Sequence, residues 1–183
     1  QGSANSITQD EQGFIWISTQ GGLHRYDGQE FKIYASTPFD TTSLSDSWVW
    51  TVSEAKNGDL WVATEGGGLN RMDRATEKFT HYRNDPEDSL SITSDRVYTA
   101  MEATNGDLWV ATLGDGVDRM KAGEDGVFRH YKHVHEDSST ISSSFTTWLN
   151  EDAAGMIWVG TGSGISRINP ETDIITRFLF DSL

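Results

Sequence analysis

Three groupings of residues in this 183-residue chain have types and spacings that could do chemistry. The first is His130-x-x-His133-x-His135 followed by Glu136 and Asp137, which offers the imidazoles and carboxylates that hold zinc or nickel. The spacing matches no defined metal motif. In an extended chain only His133 and His135 share a face, so no metal site is expected. The acidic loops also lack the Asp-x-Asp-x-Asp-Gly order of a calcium loop. The second grouping is Gly21-Gly22, Gly66-Gly67-Gly68, Gly114-Asp115-Gly116 and Gly162-Ser163-Gly164. No Lys-Ser/Thr follows these clusters and no helix opens there, so they read as tight turns in which glycine supplies positive φ, and not as phosphate cradles. The third is a scatter of polar and aromatic residues: Asp46, Trp48, Trp50, Asp95, Arg96, Phe145 and Trp148. Flat rings beside a few carboxylates and a guanidinium could stack on and orient a sugar or other planar ligand, and these seven are the expected ligand contacts; core packing is the competing reading of the tryptophans. For catalysis there is no Gly-x-Ser-x-Gly elbow, no His-Glu-x-x-His and no cysteine. No catalytic residue and no cofactor is expected.

These candidates sit in a repeat. Gly13-Phe14-Ile15-Trp16-Ile17-Ser18-Thr19 returns at Gly58–Thr64, Gly106–Thr112 and Gly155–Thr161, and its tryptophans step by 45, 48 and 49 residues. After each copy come a glycine cluster and an aliphatic-x-Arg element carrying Arg25, Arg71, Arg119 or Arg167, then an element ending on Tyr34, Tyr82, Tyr131 or Phe178. Before the later copies lie Trp48–Val52, Arg96–Ala100 and Phe145–Leu149. Every element is short, β-branched or aromatic, and bounded by Gly, Asn, Asp or Pro, which predicts strands. Four strands per unit of this length predict an all-β fold: a β-propeller of four four-stranded antiparallel blades over about residues 4–35, 46–83, 95–132 and 144–178. The recurring tryptophans are expected to pack blade on blade, and the recurring arginines to pair with carboxylates or carbonyls between blades. Gln1-Gly2-Ser3 reads as a tag remnant, with residues 4–183 as the propeller.

Composition narrows the function. Twenty-eight acids against fourteen Lys and Arg leave a net charge of −14. That balance disfavours nucleic acid and anionic lipid, both of which bind through clustered cations.

The stretch from Gln9 to Gly28, with the later Gly-Asp-Leu-Trp-Val-Ala-Thr and Gly-Gly-Leu-Asn-Arg runs, resembles the two-component regulator propeller family. The resemblance implies the periplasmic sensor region of a bacterial inner-membrane receptor that binds a small molecule or oligosaccharide. In such receptors the membrane is reached only through segments downstream of the propeller, and the kinase or cyclase output lies elsewhere. The family generally uses about seven blades, so four imply a partial ring. A protein-binding scaffold is the alternative reading, and a propeller lyase or glycosidase a third. An open arc leaves two end faces uncovered, so a homodimer joined through the end blades is expected.

Overall fold

The computed structural model describes residues 3–179. Gln1 and Gly2, most of the expected tag remnant, lie outside them. Sixteen strands form four antiparallel sheets, each a meander ordered from innermost to outermost strand. Blade 1 holds β1 (Ala4–Gln9), β2 (Ile15–Thr19), β3 (Gly22–Tyr26) and β4 (Phe31–Tyr34). Blade 2 holds β5 (Val49–Glu54), β6 (Leu60–Thr64), β7 (Leu69–Met72) and β8 (Phe79–Tyr82). Blade 3 holds β9 (Val97–Glu102), β10 (Leu108–Thr112), β11 (Gly116–Met120) and β12 (Phe128–Tyr131). Blade 4 holds β13 (Thr146–Glu151), β14 (Ile157–Thr161), β15 (Gly164–Ile168) and β16 (Ile175–Leu179). Each sheet takes its four strands consecutively from the chain.

The glycine clusters have a steric cause beyond the turn itself. At Gly22, Gly68, Gly116 and Gly164 φ is positive, and a Cβ would lie 2.2–2.4 Å from the carbonyl oxygen of Tyr34, Tyr82, Tyr131 or Phe178. Only glycine lets the third strand start this close to the end of the fourth.

Neighbouring blades pack in chain order, and the core is divided among three joints. Trp16, Tyr34, Val52, Leu60 and Phe79 fill the first. Trp61, Tyr82, Val97, Leu108 and Phe128 fill the second, and Trp109, Tyr131, Leu149, Ile157 and Ile168 the third. Trp16, Trp61 and Trp109 are buried as expected for blade-to-blade packing, each against the tyrosine of its own outer strand.

Polar bonds clasp each joint at both ends. On the inner strands, Glu54, Glu102 and Glu151 accept the backbone N–H of Glu11 (2.8 Å), Lys56 (3.3 Å) and Thr104 (2.7 Å) from the preceding blade. On the outer strands, the hydroxyls of Tyr34, Tyr82 and Tyr131 donate to Glu77 (3.0 Å), Asp125 (2.6 Å) and Asp173 (2.5 Å) of the following blade. Burial, reinforced by the bond to Asp173, pushes the Tyr131 phenol up to about 12, so this clasp keeps its proton through neutral pH.

The arc ends without such clasps. In blade 1, Gln9 stands where the later blades have glutamate, and the turn between β3 and β4 is shorter than its counterparts. In blade 4, Phe178 replaces the clasping tyrosine. Ile7, Phe31 and Ile33 are exposed on blade 1, and Trp148, Ile165 and Phe178 on blade 4.

Candidate functional site

The innermost strands share an irregularity that shapes the site. In each, one extra residue breaks the register with the second strand: Asn5, Trp50, Tyr98 and Thr147. Such a bulge re-aims its side chain and recurs next to functional sites. Here it brings Trp50 and Tyr98 of adjacent blades together, with ring centroids 5.2 Å apart. Trp48 extends the shelf, 5.7 Å from Trp50, and is 37% exposed.

Glu65, in the turn between β6 and β7, supports this shelf. It accepts the Trp50 indole N–H at 2.7 Å and the Arg96 Nε–H at 3.0 Å. A second guanidinium nitrogen of Arg96 lies 2.8 Å from the same carboxylate, and more than half of the Arg96 side chain stays in solvent. The arrangement combines three aromatic faces with a carboxylate and a guanidinium held in fixed positions. It can stack on a flat or ring-shaped ligand and hydrogen-bond its edge. It holds no nucleophile paired with a base.

Of the seven expected contacts, the structure brings Trp48, Trp50 and Arg96 together. Phe145, half exposed, occupies in blade 4 the position of Trp48 and Arg96, since the carbonyls of Trp48, Arg96 and Phe145 each accept an N–H from the following turn, at Glu65, Leu113 and Gly162 (2.9–3.0 Å).

The other three expected contacts have different surroundings. Asp46 caps the Trp48 N–H at 3.0 Å, a task done by Ser94 and Ser143 in the next blades. Asp95 accepts the Asn84 N–H at 2.8 Å, as Ser47 and Ser144 accept those of Ser36 and His133. Both aspartates thus hold positions that recur in function though not in identity. Trp148 does not join the shelf. It lies opposite Gly160 in the β13–β14 pair, on the open face of blade 4.

Glu65 and Tyr98 were not among the expected residues. The signal for Glu65 is its place in a turn where the other blades have Gln20, Leu113 and Gly162; for Tyr98 it is register equivalence with Trp50.

The histidines go separate ways. His130 Nδ1 bonds Asp118 at 2.7 Å and its Nε2 bonds the Ser89 carbonyl at 2.9 Å. His133 bonds the Ile141 carbonyl, and His135 is solvent-exposed beside Glu136. The recurring arginines also divide. Arg25 reaches Glu77 across the first joint and Arg119 reaches the Pro170 carbonyl across the third, as expected. Arg71, in contrast, pairs with Asp59 of its own blade, and Arg167 lies over Trp158 of its own blade.

The two component regulator propeller family profile matches residues 1–21 and 43–66, the openings of the first two blades. These two openings are similar to repeats of the two-component regulator propeller family. The chain is also similar to a stretch of histidine kinase P4 from Formosa agariphila, 47% identical over 45 residues, which is 25% of this chain and 3% of that protein. The whole chain resembles the extracellular domain of the hybrid two-component system BT3049 from B. thetaiotaomicron, with TM-score 0.82 and 27% identity over 97% of this chain and 25% of that one. It also resembles the extracellular domain of the one-component system BT4673 from the same organism, with TM-score 0.79 and 28% identity over 100% of this chain and 26% of that one. The chain therefore spans about a quarter of the length of these structural relatives. It resembles extracellular domains of signalling systems.

Proposed function

We propose that this chain is part of the periplasmic sensor region of a bacterial membrane signalling receptor, and that it binds a small molecule or oligosaccharide on the shelf formed by Trp48, Trp50 and Tyr98. The observation that carries the reading is the shelf itself. Three aromatic side chains gather at the bulged inner strands of two blades, locked by one carboxylate and edged by a half-exposed guanidinium. Extracellular domains of signalling systems among the structural relatives support the placement outside the cytoplasm. Output would be carried by other segments of a longer protein, with the membrane crossed there.

A ligand that binds only the folded state must raise its apparent stability. The test is a thermal-shift screen against neutral and acidic oligosaccharides, amino acids and divalent metals, repeated with Trp48→Ala. A dose-dependent rise with one compound class, lost in Trp48→Ala, is expected. A flat screen would overturn ligand sensing at the shelf and favour a protein-binding scaffold.

A further inference from the structure

The three joints differ in how they treat the tryptophan at their centre. At the first joint the Trp16 indole N–H donates to Asp10 at 2.7 Å, and Arg74 of blade 2 reaches the same carboxylate at 2.7 Å. In the free end blade the Trp158 indole finds Asp152 at 2.7 Å in the same way. At the second joint both groups are missing: Ala55 replaces the aspartate and Ala122 the arginine, by register in the repeat. The Trp61 side chain is 95% buried by its 5% exposure, and its indole N–H has no acceptor among the described residues. An unpaired buried donor of this kind costs about 1–3 kcal/mol and calls for an explanation.

A cleft of about 300 Å³ opens at this place, lined by Ala55, Trp61, Arg71, Ala122, Lys56 and Lys121 among others. Three cations border it, although the chain as a whole carries −14. Two acids, Glu102 and Asp125, also line it, and both are engaged in the clasps with Lys56 and Tyr82.

We propose that the second joint is a binding site for a small organic carboxylate, whose carboxyl group stands where Asp10 stands at the first joint and accepts the Trp61 indole N–H. Arg71 is already paired with Asp59, so Lys56 and Lys121 supply the charge that Arg74 supplies to Asp10. Because the indole nitrogen is covered, side chains lining the cleft must shift to admit the group, which favours one as slender as a carboxylate. At the third joint Ala103 again stands for the aspartate and the Trp109 indole N–H is again without an acceptor among the described residues, but a buried arginine fills the space beside it. There Arg119 is buried, bonds Asp107 at 2.8 Å and the Pro170 carbonyl at 2.6 Å, and lies over the Trp109 ring, so the equivalent space is occupied.

The experiment follows the indole N–H resonances of the ¹⁵N-labelled chain during titration with sodium acetate, against sodium chloride at equal ionic strength. A saturable shift of the Trp61 resonance with acetate alone is expected, with Trp109 unmoved. Ala55→Asp should abolish the shift by supplying the carboxylate internally, and Lys121→Gln, an exposed change that should fold normally, should weaken acetate binding up to about fivefold. No acetate-specific shift of Trp61, or an equal shift in Ala55→Asp, overturns the proposal. The site is separate from the aromatic shelf: Trp48→Ala should leave the acetate titration unchanged, so either proposal can fail alone.

Discussion

Replacing Asp10 should expose how much a joint depends on matched losses. Its side chain is 1% exposed and accepts three bonds, from Phe14 N–H (2.8 Å), Trp16 Nε1 (2.7 Å) and Arg74 (2.7 Å). Burial works against the charged carboxylate, but the bonds from Trp16, Arg74 and Phe14 outweigh it and hold the pKa below 3.8. Asp10→Ala leaves a guanidinium, itself only 13% exposed, facing the Phe14 and Trp16 rings without its anion. Stranding one member of a buried pair costs about 3–5 kcal/mol. Arg74→Ala alone leaves Asp10 two of its three donors and should cost about 1–3 kcal/mol. The double variant Asp10→Ala/Arg74→Ala rebuilds the Ala55/Ala122 arrangement that the second joint already tolerates. It should therefore be more stable than the sum of the single changes implies, by about 1–2 kcal/mol of coupling.

Urea unfolding of the four proteins, followed by circular dichroism and fluorescence together, closes this cycle. Additivity within about 0.5 kcal/mol would refute the reasoning, because it would mean that Asp10 and Arg74 do not stabilise one another. The pH dependence gives a second check. A carboxylate with a depressed folded pKa contributes fully above its unfolded value near 3.8 and loses that contribution as pH falls through the folded value. The cost of Asp10→Asn should accordingly shrink below pH 3.8.

His130 has the opposite sign. Its bond to Asp118, aided by the Ser89 carbonyl and opposed by burial, raises its pKa above 6.5, so its contribution is complete below pH 6.5 and fades as pH rises through the folded value; unfolding midpoints should fall over that interval in the wild type and stay level in His130→Gln. Tyr82→Phe removes a 2.6 Å bond to Asp125 and should destabilise the chain by about 1–2 kcal/mol in urea, and an unchanged midpoint would remove the clasp from the account of the second joint. We further propose that isolated chains pair through their end blades, blade 4 of one copy on blade 1 of the next, since one face lacks the clasping hydroxyl and the other the clasping carboxylate. Light scattering should then give a dimer that Phe178→Asp converts to monomer, whereas a monomeric wild type would contradict the pairing.

Much of the fold is legible in the repeat because each blade must satisfy the same constraints. A glycine is required where the third strand approaches the Tyr34, Tyr82, Tyr131 or Phe178 carbonyl, and a large ring is required at Trp16, Trp61 and Trp109 to fill a joint. Pairing was harder to read. The four arginines share a register, yet their partners differ: Glu77 of the next blade for Arg25, Asp59 of its own blade for Arg71, Asp107 and the Pro170 carbonyl for Arg119, and the Trp158 ring for Arg167. Aspartate can sit either at the end of the inner strand, as Asp10 and Asp152 do, or after the turn glycine, as Asp59 and Asp107 do. The choice decides whether the tryptophan or the arginine receives the carboxylate.

The same economy explains why the site is only half visible in the sequence. Trp48, Arg96 and Phe145 perform one backbone task, accepting a turn N–H, and that task places no demand on their side chains. A propeller can therefore change what it presents at this rim without changing its fold, and identity that varies over a constant backbone role is the mark of a residue free to serve binding. In Asp46 and Asp95 the side chain itself does the backbone work, accepting an N–H as serines do in other blades. The cleft at the second joint is invisible to a search for reactive side chains for a different reason. It is made by what Ala55 and Ala122 lack, and the loss shows only when one joint is laid over another and a buried indole N–H is found without the carboxylate its counterpart holds.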